Sequence, residues 1–127
     1  MEPAAQIFHL CSQADWNAAL STGLYRGTDS DRQDGFLHFS TYGQVRESAA
    51  RHHANVAALV MLTVDSVQLG EELKWEKSRG GALFPHLYGP LPLSAVLRAD
   101  LLGLGPDQRH GFPDWFVSME GIVSKQA

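Results

Sequence analysis

The run Ala57-Ala58-Leu59-Val60-Met61-Leu62-Thr63-Val64 decides the fold class. It is apolar without alternation and rich in β-formers, which is the pattern of a strand covered on both faces. A covered strand needs neighbours. Upstream, Ala5 to Leu10 reads as one, with Phe8 and Leu10 on one face and Ile7 and His9 on the other. Downstream, Ser94 to Leu102 reads as the last strand.

Helical signals fall between these strands. Ser12 has the character of a helix cap, Trp16, Ala19 and Leu20 recur at helical spacing, and Gly23 stands where a left-handed stop belongs. The polar stretch Gly27 to Gly35 has loop composition and reads as a mobile cover for a site. Gly35 to Ser40 alternates as a half-buried strand, with Phe36, His38 and Ser40 sharing a face. Thr41 and Gln44 then form a capping-box pair that starts a helix carrying Val45, Ala49 and His52 to the Asn55 region. Leu73 to Lys77 alternates again, setting Leu73, Trp75 and Lys77 opposite Lys74 and Glu76, before Gly80-Gly81 turns the chain. The three prolines from Phe84 to Pro92 predict an ordered loop or an edge. Beyond Gly103 the chain reads as irregular, with a helical turn near Trp115.

A chain of 127 residues that is 44% hydrophobic supplies one packed core, so the expectation is a single α+β domain over 1–127, with its core at 5–102 and an irregular tail at 103–127. The first residues show no basic region followed by a long apolar segment, and no later run is long enough for a bilayer. The lone Cys11 excludes an intrachain disulfide framework. Together these features predict a cytoplasmic protein with no membrane partner. The net charge of −4, with both signs mixed along the chain, provides no basic stripe and disfavours general nucleic-acid binding. A small anionic ligand is still compatible with that balance, because one arginine or one helix start is enough to hold a phosphate.

The candidate site residues follow from this layout. His9 and His38 lie mid-strand among apolar neighbours, and side by side they would point into one cleft; the alternative is two buried histidines satisfied by backbone or hydroxyl groups. Ser40 and Thr41 stand where a strand hands over to a helix, a place suited to an anion, although capping alone accounts for Thr41. Trp75, Glu76 and Arg79 offer an aromatic plane, a carboxylate and a guanidinium for a nucleotide's base, sugar and phosphate; a solvated strand with weak ion pairs is the plain alternative. His86 and Tyr88 share a side of the stiff proline-rich segment, which equally suits a packed loop. No metal site is expected, since the adjacent His52 and His53 face different ways and no metal-ligand spacing occurs.

These residues also fit a pattern. Ile7-Phe8-His9, Trp16 with Ala19, Gly23-Leu24-Tyr25, Asp34 to Thr41 with Gln44-Val45, Leu73 to Glu76, and Arg79 to Leu93 together resemble the domain of unknown function 952 family of bacterial and plant proteins. The resemblance runs to about Ala99, and Phe84 to Leu93 is its most specific part. It implies a fold similar to the ADP-ribosyltransferases and RNA 2′-phosphotransferases, in which a strongly bent mixed or antiparallel sheet with short flanking helices splits around a nicotinamide-nucleotide cleft. What it implies for this chain is a small-molecule ligand, NAD or a related nucleotide. His9 would hold the ribose, and Glu76 would be the late catalytic glutamate, assisted by His38. The nicotinamide-stacking tyrosine would be Tyr25, Tyr42 or neither. A non-catalytic metabolite-sensing domain is the alternative function.

Overall fold

The computed structural model describes residues 6–119, so Ala5 and the end of the expected tail lie outside the described residues. The covered run is the strand β4 (Leu59–Asp65), central in an antiparallel sheet between β1 (Gln6–Ser12) and β8 (Val96–Leu102). Helix α1 (Gln13–Thr22) and the two-residue β2 (Leu24–Tyr25) follow β1. Then come α2 (Asp29–Asp34), β3 (Leu37–His38) and α3 (Tyr42–His52). After β4, β5 (Leu73–Lys77), β6 (Leu83–Leu87) and β7 (Leu91–Pro92) lead into β8, and α4 (Asp114–Ser118) comes last. Among the described residues no helix is long and apolar enough to cross a membrane.

Alternation along β1 and β4 builds a core on each face of the first sheet. Ile7, Cys11, Val60, Leu62 and Val64 pack with Ala19, Tyr25 and Leu37 on one side. Phe8, Leu10, Leu59, Met61 and Leu102 pack with Val45, Ala49 and Phe116 on the other. Each buried Val, Leu, Ile, Met or Phe side chain among them is worth about 1.5–3 kcal/mol against exposure. The helix boundaries follow the sequence signals: Ser12 accepts from the Asp15 N–H at 3.0 Å, and Gly23 stops α1 at φ 82°. Leu20, expected on the packed face, is exposed, because α1 meets the sheet through Ala19 and Trp16.

A second sheet has the order β3-β6-β5, and β2 pairs with β7. The first two sheets are joined where Phe8 and Ser40 exchange backbone hydrogen bonds of 2.8 Å. All the named pairings are antiparallel, so the mixed alternative is not realised. The proline-rich segment is loop and edge only in its second half, where Tyr88 to Pro90 lie outside any strand and β7 is half of a two-stranded pair; its first half is β6, a middle strand with Pro85 inside it. Phe39 N–H reaches the Pro85 carbonyl at 2.9 Å, and proline has no N–H to return the bond. Pro85 therefore sits where the β3 ladder ends, and a central strand tolerates it because one missing donor falls beyond the paired residues.

The stretch expected as a mobile loop is also corrected. Thr28 and Asp31 form a capping box that starts α2, and Gly35 ends the helix at φ 86°. Gly27, at φ 101°, precedes it, and a Cβ there would lie 2.5 Å from Leu37 Cδ2 and 2.8 Å from Asp31 Cβ. Gly27→Ala is expected to lower stability by roughly 2–4 kcal/mol, from strained backbone and overlap combined. Gly43→Ala, in open space on α3, is expected to change it by less than about 1 kcal/mol and in the stabilising direction. Urea midpoints of the two variants check the contrast, and equal midpoints would refute it.

Candidate functional site

A cleft of about 390 Å³ opens where the two sheets meet, flanked by α2 and α3. Strand residues His9, His38, Phe39 and Ser40 line it, together with Phe84 and His86 from β6. Asp31 and Asp34 come from α2, Ser48 and His52 from α3, and Arg79 from the turn between β5 and β6.

His9 is 2% exposed and has both ring nitrogens occupied. Nδ1–H donates to the His38 carbonyl at 2.6 Å, so Nε2 carries the lone pair and accepts from the Tyr25 hydroxyl, also at 2.6 Å. Burial lowers its pKa against the pull of Asp31, which keeps the ring neutral. Burial also pushes the Cys11 thiol, on the same strand, up to about 12, so it is an inert core group.

Asp31 is the centre of the α2 side. Burial by itself would raise its pKa, but hydrogen bonds from the His38 ring and from the backbone N–H groups of Thr28 and His38 outweigh that and hold it at about 2. His38 lies between two carboxylates, with Nδ1 on Asp31 and Nε2 on Asp34 at 2.8 Å. The Asp31 hydrogen bond, working against partial burial and assisted by Asp34, raises its pKa and favours the imidazolium.

His86 faces His38 directly across the β3–β6 pairing, with ring centroids 5.7 Å apart. Its Nδ1–H donates to Glu76 Oε1 at 2.7 Å, and the Tyr88 hydroxyl donates to the same oxygen at 2.7 Å. Those two bonds, Tyr88 first, hold the Glu76 pKa below its ordinary value. Phe36 stacks on the His86 ring at 4.1 Å. Among the described residues Thr63 Oγ1 is the buried side-chain polar atom without a partner; His86 lines the cleft, and its Nε2 makes no hydrogen bond.

Arg79 marks the α3 side. Its Nε pairs with Glu47 at 3.1 Å, Nη1 donates to His52 Nε2 at 3.2 Å, and Nη2 makes a long contact of 3.4 Å to Ser48 Oγ. Ser48 in turn shares a 2.8 Å hydrogen bond with Ser40, and the Phe84 ring lies 5.0 Å from the guanidinium carbon.

Of the residues singled out from sequence, His9, His38, Ser40, Arg79 and His86 line the cleft, while Glu76 and Tyr88 reach it through His86. Two do not come in. Trp75 pairs across from Pro85 on the face of β5 opposite Glu76, because side chains alternate along a strand. Thr41 is occupied as the α3 cap, its N–H bonded to Gln44 Oε1 at 3.0 Å. Asp31, Asp34, Ser48 and His52 are among the cleft residues that sequence reasoning missed. Asp31 was legible in a Thr-x-x-Asp capping box, a signal masked by the polar composition of the stretch.

A family profile described as protein of unknown function (DUF952) matches residues 10–99. The chain belongs to the DUF952 family. That span holds every cleft residue named above except His9, which precedes it by one position. A comparison with curated proteins returned no match. Among solved structures, this DUF952 chain is similar to the X-ray structure of protein CC0527 from Caulobacter crescentus, at 44% identity and a TM-score of 0.84, covering 88% of this chain and 98% of that one. It is also similar to the solution NMR structure of CC0527, at 46% identity and a TM-score of 0.74, covering 83% and 90%.

The pKa directions predict the pH dependence of stability. Folding raises His38 above 6.5, so its contribution is complete below pH 6.5 and is lost as pH rises through the folded value. His9 has the opposite sign, disfavouring the fold as pH falls below 6.5. Asp31, lowered from 3.8 to about 2, contributes roughly 2 kcal/mol above pH 3.8 that disappears toward pH 2. Thermal melts from about pH 5 to about pH 9 should therefore show the gap between wild type and His38→Gln narrowing as pH rises. A constant gap would mean that His38 is not charged between its two carboxylates.

Proposed function

We propose that the cleft binds a small nucleotide-like molecule and that His86 is the general base acting on it. The observation that carries this reading is the Glu76–His86 pair: a carboxylate fixes Nδ1–H and leaves Nε2 without a hydrogen bond beside a cavity shared with His38 and Arg79. Two antiparallel sheets joined at the Phe8–Ser40 bridge, with the cleft beside that junction, are compatible with the analogy to the split sheet of the ADP-ribosylation type.

On this reading the reaction is hydrolysis or transfer at the N-glycosidic bond of a nicotinamide nucleotide. His86 Nε2 takes the proton of a water that attacks the anomeric carbon, and the bonding pair leaves with the nicotinamide. Glu76, expected from sequence as the group facing the sugar, becomes a positioning residue because the Oε1 it presents is engaged by His86 and Tyr88. One observation favours the alternative of a non-catalytic metabolite-binding domain: both nitrogens of His38 are already held, by Asp31 and Asp34.

Release of free nicotinamide from nicotinamide mononucleotide, followed beside a calorimetric titration, separates these readings. His86→Gln is expected to lower kcat by about 100-fold or more, the usual range for losing a general base. Glu76→Gln should lower kcat while leaving KM nearly unchanged. Wild-type turnover that survives His86→Gln removes the base assignment, and binding without turnover in wild type leaves the metabolite-binding domain as the function.

A further inference from the structure

The polar groups of the cleft are of different kinds at its two helices. Beside α2 the carboxylate of Asp34 is about half exposed and accepts from His38, with Thr28 and Ser30 nearby, so hydroxyl groups of a ligand find acceptors there. Beside α3 the cleft presents donors: the Arg79 guanidinium and the buried hydroxyls of Ser40 and Ser48.

We propose that the α3 side is a phosphate subsite and that the ligand is a phosphomonoester of a hydroxyl-bearing sugar, of mononucleotide size. This rests on the reading of the cleft as a nucleotide-like binding site and deepens it. Arg79 is preorganised: Glu47 holds its Nε, Phe84 lies near its guanidinium plane, and His52 Nε2 accepts from Nη1. The Nη2 contact to Ser48 is long at 3.4 Å, so a phosphate oxygen displaces little by taking it. Ser40 and Ser48 use one hydroxyl hydrogen between them in their mutual bond, which leaves the other hydrogen to donate.

These donors come from three parts of the chain: the turn after β5, Ser40 beyond the end of β3, and α3. A planar carboxylate is satisfied by a guanidinium fork alone, whereas a tetrahedral phosphate also uses donors outside that plane. Size argues the same way. A cleft of 390 Å³ lies near the lower end of the roughly 300–1,000 Å³ of small-ligand sites, suited to one nucleotide rather than two.

Calorimetric titration of the full chain with ribose 5-phosphate, ribose and inorganic phosphate tests the subsite. Ribose 5-phosphate is expected to bind at least about 10-fold more tightly than ribose, and inorganic phosphate to compete with it. Arg79→Gln should weaken ribose 5-phosphate by about 10- to 100-fold and leave ribose unchanged, while Arg79→Lys, which keeps the charge and loses the fork, should fall between. Thermal melts establish that the variants are folded; should Arg79→Gln not fold, Arg79→Lys and the phosphate competition on wild type give the answer. Equal affinity for the sugar with and without phosphate, or unchanged binding in a folded Arg79→Gln, overturns the phosphate subsite and leaves the nucleotide-like reading standing. Absence of binding by ribose 5-phosphate, ribose and nicotinamide mononucleotide alike overturns both.

Discussion

The architecture of the cleft depends on one buried carboxylate. Asp31 is 3% exposed, and an unpaired charge at such depth costs several kcal/mol, so the chain around it is arranged to supply donors. Thr28 N–H meets Oδ2, while His38 N–H and the His38 ring meet Oδ1. Those bonds tie the start of α2 to β3. They also explain why so short and polar a helix is ordered: its six residues gain little from propensity, and its anchor is tertiary. Gly27 belongs to the same constraint, because the chain entering α2 packs directly on Asp31 with no room for a side chain.

The Phe8–Ser40 bridge transmits that anchor to the rest of the molecule. Two 2.8 Å backbone bonds join β1, which is locked into the first sheet, to the end of the β3 segment, which leads the second. His9 adds a side-chain link at the same place by donating to the His38 carbonyl. The cleft is thus set at a junction of two sheets, where rigid strands approach from both sides and the helices α2 and α3 close the flanks. Groups placed this way hold their geometry better than groups on free loops.

What was legible in the sequence, and what was not, divides along physical lines. The central β4, the Ser12 cap, the Gly23 stop and the Thr41–Gln44 box were readable because each depends on local periodicity or on contacts within a few residues. The central place of β6 was not, since Pro85 argues against a middle strand unless it is known that β3 stops at its level. Nor was α2, whose composition is that of a loop and whose stability comes from the distant His38. The candidate site divides in the same way. Histidines on alternating strands could be assigned to a face, but the partners Asp31 and Ser48 come from helices whose position only the fold defines.

Hydrogen-bond accounting then separates three histidines that looked alike. His9 is buried with both nitrogens occupied, and nothing of it is left for a ligand; the ribose-holding role implied by resemblance would require breaking the bond to Tyr25 or to His38. His38 is also fully engaged, yet one of its partners, Asp34, is half exposed and replaceable, so it is a charged wall of the cleft. His86 has Nδ1 fixed by Glu76 and no hydrogen bond on Nε2, so its ring keeps its orientation where it lines the cleft. The carboxylate that fixes it was itself the residue expected to face the sugar. Because Glu76 accepts from His86 and Tyr88 through a single oxygen, it meets the cleft through the imidazole that β6 carries.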